Sequence, residues 1–253
     1  MYNIKKKESL IVGKLDGKVA IITGGAAGMG ETHARLFIDE GAKVVLTDID
    51  KDKGEALAKE LGDNALFIEH NVTDEDGWKN VVEKTEENFG AINVLVNNAG
   101  ISPALSVESS LDDYMNVVNI NQVSIFLSMK YVVPSMKKAE NGSIINVSSI
   151  NGLTGGALGY TDTKFAVRGM TKAAAKELAP HSIRVNSVHP GVIDTPMVQN
   201  SPNIDQIKAM VQMIPLKRMA KPDEISQLIL FLASDDSSYS TGAEFIADGG
   251  ITA

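Results

Sequence analysis

The sequence predicts a single α/β domain, doubly wound about one seven-stranded parallel sheet with helices on both faces. Three observations carry that expectation. From residue 17 onward, short β-branched runs alternate with longer helical patterns. The runs read as continuous Val, Ile and Leu rather than strict alternation, as strands covered on both faces do. No internal repeat, low-complexity tract or long Pro/Gly/Ser linker interrupts the chain, so the alternation belongs to one sheet with helical crossovers.

The elements follow in order. KVAIIT (18–23) opens the sheet and runs into a glycine-rich stretch that leads into a helical pattern. KVVLTD (43–48), ALFIEH (65–70) and INVLVN (92–97) read as the next three strands, and GSIINV (142–147), IRVNSV (183–188) and EFIAD (244–248) complete the seven. Helical patterns fill the gaps, a long one near 111–138 and another near 158–179. The stretch PMVQNSPNIDQIKAMVQMIP (196–215) breaks the regularity with several methionines between prolines. Met at such spacing fills cores; beyond the carboxyl ends of strands it equally suits an apolar lid over a substrate. The expected organisation is a tail over 1–14 and one domain over 15–253, with the lid at about 196–215.

Composition narrows the function classes. Of 253 residues, 43% are hydrophobic and 22% charged, enough for a full core and ordinary for a globular chain. A net charge of -8 disfavours nucleic acid and anionic membranes, which need clustered Lys and Arg. The one basic run, Lys5 to Lys7, reads as a solvated chain end. No apolar run approaches the roughly 18 residues of a membrane span, and LIVGKL (10–15) is too short and polar for a secretory signal. Cysteine is absent, which removes disulfides and thiolate metal sites and fits a cytoplasmic protein. His33, His70, His181 and His189 lack metal-ligand spacing, so no metal is expected. Neither a G-x-S-x-G elbow nor a Walker loop is present, against serine hydrolase and NTPase readings.

Directly after the first strand comes TGGAAGMG, Thr23 to Gly30, opening a helix. Glycines permit a tight turn and let the backbone approach a pyrophosphate, which then rests on the unpaired amides at the helix start. Asp48 ends the second strand about 20 residues on, where a carboxylate accepts hydrogen bonds from adenosine ribose hydroxyls. A 2′-phosphate there would meet a like charge, worth roughly 4 kcal/mol per unit charge at 4 Å and an effective dielectric near 20. No compensating Arg lies immediately after the loop, so NAD is expected over NADP.

Further on, GYTDTKFAVRG (159–169) sets a tyrosine and a lysine four residues apart, one helical turn, so that Tyr160 and Lys164 share a face if the segment is helical. A phenol has a pKa near 10 and is a sluggish base near neutrality; a neighbouring ammonium favours the phenolate. The same pair also arises by chance on surface helices.

The glycine spacing Gly24, Gly28, Gly30 resembles that of the short-chain dehydrogenase/reductase family in its short, NAD-using form. NNAG (97–100), Asn121 in VVNINQ, the serine pair of NVSSING (146–152), YTDTK (160–164) and PGVIDT (190–195) fall in that family's order. The resemblance spans 15–253, and in IRVNSVHPG and FLASD the chain is most similar to the bacterial 3α(20β)-hydroxysteroid dehydrogenase type. It implies a Rossmann fold, a commonly tetrameric enzyme, and hydride transfer between a secondary alcohol or ketone, plausibly a hydroxysteroid, and NAD. Tyr160 would be the proton donor and acceptor, with Lys164 also holding the nicotinamide ribose. Ser149 would bind the substrate oxygen, and Asn121 would anchor a proton-relaying water. The shortened segment before Tyr160 leaves Ser148 in competition with Ser149, and Asn119 competes with Asn121.

The cofactor contacts implied in the same way run through Thr23, Gly24, Gly28 and Gly30, the Met29 amide and Asp48. Asn98, Ala99 and Gly100 would flank the adenosine ribose. Pro190 and Gly191 would lead to the Ile193 amide and the Thr195 hydroxyl at the carboxamide. Where the family commonly has Asp-Val, this chain has Asn71 and Val72, and the Asn71 carbonyl would accept from the adenine amine. A 3-oxoacyl-carrier-protein reductase shares these motifs, and an idle NAD-binding sensor or scaffold would keep the glycine loop without needing the side chains that react.

Overall fold

The computed structural model describes residues 13–201 and 203–253. The tail that holds Lys5 to Lys7 lies outside them. Seven parallel strands, β1 (Val19–Thr23), β2 (Lys43–Asp48), β3 (Ala65–Glu69), β4 (Val94–Asn97), β5 (Gly142–Val147), β6 (Ile183–Pro190) and β7 (Glu244–Ala247), form one sheet in the order β3-β2-β1-β4-β5-β6-β7. The crossover helices are α1 (Gly28–Asp39), α2 (Lys51–Leu61), α3 (Glu75–Phe89), α4 (Leu111–Val118), α5 (Ser124–Lys138) and α6 (Tyr160–Leu178). After β6 come α7 (Pro196–Gln199), α8 (Ile204–Val211) and α9 (Pro222–Ala233). The predicted doubly wound α/β fold is the one observed, with strand ends shifted by a few residues at most.

Alternate side chains of each buried strand enter opposite layers. Ala20, Ile22, Val44 and Leu46 pack with Phe37 of α1 and Ile229 of α9. Ile21, Val45 and Leu95 pack with Trp78 of α3, Val132 of α5 and Val167 of α6. Both layers are built mainly from buried aliphatic side chains, which explains the continuous Val/Ile runs. Because β1 pairs with β2 on one side and with β4 on the other, the chain reverses direction across the sheet between β1 and β4. The loops after those two strands therefore diverge and leave a crevice beyond their carboxyl ends.

The expected helix over 111–138 is interrupted. Asn119–Val123 forms one π-helical turn between α4 and α5, an insertion that widens the helix and often marks a functional position. The 196–215 stretch serves both readings. Val211 and Ile214 are buried with Val192, and Ile207 and Met210 pack against them, whereas Met197 and Met213 are largely exposed.

Candidate active site

The crevice at the topological switch holds a cavity of about 360 Å³. It is lined by the glycine loop and the start of α1, with Gly24, Gly28 and Met29, by Asp48, and by Asn98, Ala99 and Gly100, which abut the glycine loop. Asn71, Val72 and Thr195 line it as well. Pro196 and Met197, which open the stretch read as core or lid, line it too, and Ala27, Ile49, His70, Ile101 and Ile120 were missed in the sequence because no periodic or motif signal marks them.

Local chemistry builds this wall. Gly24 and Gly28 take positive φ (62° and 59°), a conformation that side chains disfavour. At Gly30 a Cβ would stand 2.0 Å from the Gly24 carbonyl oxygen, so α1 starts hard against the loop only because that residue is glycine. Thr23 is buried, and its hydroxyl accepts from the Asn98 and Ala99 amides, both at 3.0 Å, while Asn98 Nδ2 donates to the Thr23 and Gly24 carbonyls. Thr23 and Gly30 thus shape the cavity from behind and do not line it. The Asp48 carboxylate accepts from the Ala26 and Asp50 amides, both at 3.1 Å, which ties the end of β2 to the glycine loop.

Asn121, Ser149, Tyr160 and Lys164, the candidate reacting groups, do not line the cavity. The Ser149 side chain is near enough to the Tyr160 phenol to act on its acidity. Lys164 Nζ lies 5.5 Å from the Tyr160 ring centroid and donates to the Val147 carbonyl at 2.8 Å. A Cβ at Gly100 would stand 3.6 Å from Lys164 Nζ and 3.2 Å from Asn121 Oδ1, so these groups adjoin the cavity wall. Asn121 is buried in the π-helical turn; its Oδ1 accepts from the Ile101 amide and its Nδ2 donates to the Ile101 carbonyl, both at 2.9 Å. Asn119 makes no such bridge.

The serine pair separates cleanly. Ser148 Oγ donates to the Lys164 carbonyl at 2.9 Å and braces α6. Ser149 Oγ accepts from the Asn151 amide at 3.1 Å and keeps its own proton to donate. His189 is fully buried between the Ser187 hydroxyl (3.0 Å) and the Ser149 carbonyl (3.1 Å), where it holds the Ser149 backbone.

Several expectations change in detail. Burial pushes the Tyr160 phenol above its ordinary range, with the Ser149 hydrogen bond acting the other way, and burial pushes Lys164 down to about 8. The Lys164 ammonium is tied to the Val147 carbonyl, 5.5 Å from the Tyr160 ring centroid. The Asn71 carbonyl is taken by the Thr73 amide (3.1 Å) and hydroxyl (2.9 Å) in a local turn, and does not wait for an adenine amine. Pro190, Gly191 and Ile193 do not line the cavity. Gly191 is required where a Cβ would stand 2.8 Å from Asp248 Cα, and Ile193 is buried in the core.

The cavity fits a dinucleotide. Its glycine backbone leaves room that a Cβ would fill, the start of α1 faces it, and Asn98 Oδ1 is buried without a partner, an acceptor of the kind a sugar hydroxyl satisfies. Such a crevice beyond a doubly wound parallel sheet, with Lys164 and Asn121 close behind its Gly100 wall, defines a Rossmann-fold oxidoreductase. A family model described as enoyl-(acyl carrier protein) reductase matches residues 24–252, and the chain belongs to the short-chain dehydrogenase/reductase family, whose enzymes use nicotinamide cofactors.

Its relatives include a 3-alpha-(or 20-beta)-hydroxysteroid dehydrogenase of Mycobacterium tuberculosis, 48% identical over 244 residues that cover 95% of this chain and 92% of that protein. A trans-4-hydroxycyclohexanecarboxylate dehydrogenase of Sinomonas cyclohexanicum is 46% identical, covering 93% of each chain. A 3-oxoacyl-(acyl-carrier-protein) reductase of Thermotoga maritima is 47% identical, covering 94% of this chain and 99% of that one.

Proposed function

We propose that this protein is an NAD(H)-dependent oxidoreductase that interconverts a secondary alcohol and a ketone, with a hydroxysteroid as a suitable substrate. The observation that carries the reading is that Lys164 Nζ, 5.5 Å from the Tyr160 ring centroid, lies close behind Gly100 in the wall of a cavity that Asp48 also lines. The nicotinamide, when bound, supplies or accepts the hydride. Gly24, Gly28, the Met29 amide, Asn98 and Gly100 would hold the dinucleotide, with Asp48 at its adenosine ribose and Thr195 near its carboxamide.

In the reducing direction Tyr160 is the general acid. A phenol pushed upward by burial is protonated at neutral pH and has a proton to give to the substrate oxygen. Ser149 donates a second hydrogen bond to that oxygen and polarises the carbonyl. Lys164 keeps one N–H on the Val147 carbonyl, which fixes its position, and has two more for ribose hydroxyls. The Asn121 side chain is committed to Ile101, so the water-holding role falls to the main chain of the π-helical turn.

The Thermotoga relative and the family model's description favour a second reading, a 3-oxoacyl-carrier-protein reductase. Asp48 and the net charge of -8 weigh against it, since that role calls for NADPH and basic residues to dock an acidic carrier. An idle NAD-binding module would have no use for the Tyr160–Ser149 contact. Exposed Phe126 and Phe165 support assembly into the tetramer common in the family.

The test is Tyr160→Phe. It is expected to leave NADH affinity within a few-fold of the parent and to lower ketone turnover by about 10²- to 10⁴-fold. An unchanged rate would take Tyr160 out of the mechanism.

A further inference from the structure

Ser149 stands at the head of a short helical turn, Ile150–Gly152, and its hydroxyl caps that turn through the Asn151 amide. The Gly152 amide closes the turn on the Ser149 carbonyl at 2.9 Å. Side chains from elsewhere hold both of its ends. His189 Nδ1 meets the Ser149 carbonyl at the near end, and at the far end Arg168 Nη1 donates to the Gly152 carbonyl at 2.8 Å. Arg168 lies on α6, one turn beyond Lys164.

Arg168 is itself anchored. Its Nε donates to Glu244 Oε2 at 2.8 Å, and Lys172 Nζ meets Glu244 Oε1 at 2.8 Å. The side chains of Arg168 and Glu244 are only 28% and 17% exposed, so their pair is sheltered from the screening that weakens surface ion pairs. Glu244 opens the edge strand β7, where it pairs with Ser187 of β6, and the Ser187 hydroxyl lies 3.0 Å from His189 Nε2. Both holds on the serine turn therefore start from one rung of the β6–β7 ladder.

The chemistry suits an arginine. Its planar fork donates in two fixed directions at once, to a carboxylate and to a carbonyl, which an ammonium on a flexible stem does not reproduce. Gly152 is buried, so without the guanidinium its carbonyl becomes a desolvated acceptor. A Cβ on Gly152 would stand 2.7 Å from both the Lys164 carbonyl oxygen and Ser148 Oγ, so the turn already rests against α6. It can shift only away from that helix, the direction the Arg168 bond opposes.

We infer that Arg168 and Glu244 are positioning residues for Ser149: Arg168 fixes the turn that the serine heads, and Glu244 fixes Arg168 from the edge strand. The inference rests on the reading that Ser149 binds the substrate oxygen. Neither Arg168 nor Glu244 lines the cofactor cavity.

The experiment is a double-mutant cycle on ketone reduction with NADH, run on whichever of cyclohexanone and a steroid ketone the parent reduces faster. Arg168→Met should lower kcat by about 10- to 100-fold and leave KM for NADH within about twofold. In a Ser149→Ala background the same substitution should lower kcat by no more than about threefold, because the group it positions is gone. Glu244→Gln keeps an acceptor for Nε and should lower kcat by about three- to tenfold, with nothing further on top of Arg168→Met. Lys172→Met takes the other cation from Glu244 and should leave kcat within about twofold. Equal losses from Arg168→Met in the two backgrounds, or no loss in either, overturn the inference alone. Should Arg168→Met fail to fold, Glu244→Gln combined with Ser149→Ala reads the same coupling. If Ser149→Ala by itself leaves ketone turnover unchanged, the role of the serine falls and the inference with it.

Discussion

Asp48→Asn removes one unit of charge from the end of β2 and changes almost nothing in volume. The parent carboxylate accepts from the Ala26 and Asp50 amides at 3.1 Å each. The amide can keep one of these through its carbonyl, so the glycine loop loses about 1 kcal/mol of hydrogen bonding. The larger effect falls on a 2′-phosphate. At about 4 Å and an effective dielectric near 20, one charge pair contributes roughly 4 kcal/mol. Because Asp48 is part-exposed, screening by water and salt reduces this to about 2–3 kcal/mol. The kcat/KM with NADPH should therefore rise roughly 30- to 150-fold at about 1.4 kcal/mol per factor of ten. NADH itself should lose about fivefold as a charge-assisted bond to its ribose becomes a neutral one. Initial rates of ketone reduction with each cofactor at two ionic strengths measure both numbers, and the parent's discrimination should shrink as salt rises. A parent that uses both cofactors equally, or a variant with an unchanged ratio, would refute the assignment of cofactor choice to Asp48.

Other outcomes follow from the same geometry. Lys164 titrates at about 8 in the folded chain, so ketone reduction should decline as pH rises through 8 and the amine loses the charge that holds the ribose; a flat profile to pH 10 would contradict this. His33 is fully buried, with Nδ1 2.7 Å from Ser226 Oγ, and burial holds it at about 3. Its neutral form belongs to the fold, so its stability contribution is complete above about pH 6.5 and is lost as pH falls toward 3, roughly 3 kcal/mol by pH 4.5. Denaturant midpoints of the parent and His33→Phe at pH 7 and 4.5 should differ by about that slope, and parallel curves would exclude it. Gly30→Ala drives a methyl onto the Gly24 carbonyl at 2.0 Å. It should cost about 1–3 kcal/mol in thermal unfolding and weaken NADH binding at least tenfold, as read by fluorescence titration; a neutral result would mean that the loop has slack.

Periodicity and spacing are local properties, and what depended on them was legible in the chain: seven strands, the glycine turn at 23–30, and a helix that carries Tyr160 and Lys164 on one face. Burial and hydrogen-bond partnership are summed over atoms distant in sequence, and no local pattern encodes them. Only the folded sheet, by pairing β1 with both β2 and β4, decided where the crevice opens. Only the packing of β5 against α6 gave Ser148 to the Lys164 carbonyl and left the Ser149 hydroxyl its proton. The π-helical turn at Asn121, the occupied Asn71 carbonyl and the upward push on Tyr160 arise in the same way, from neighbours the chain meets only after it has closed on itself.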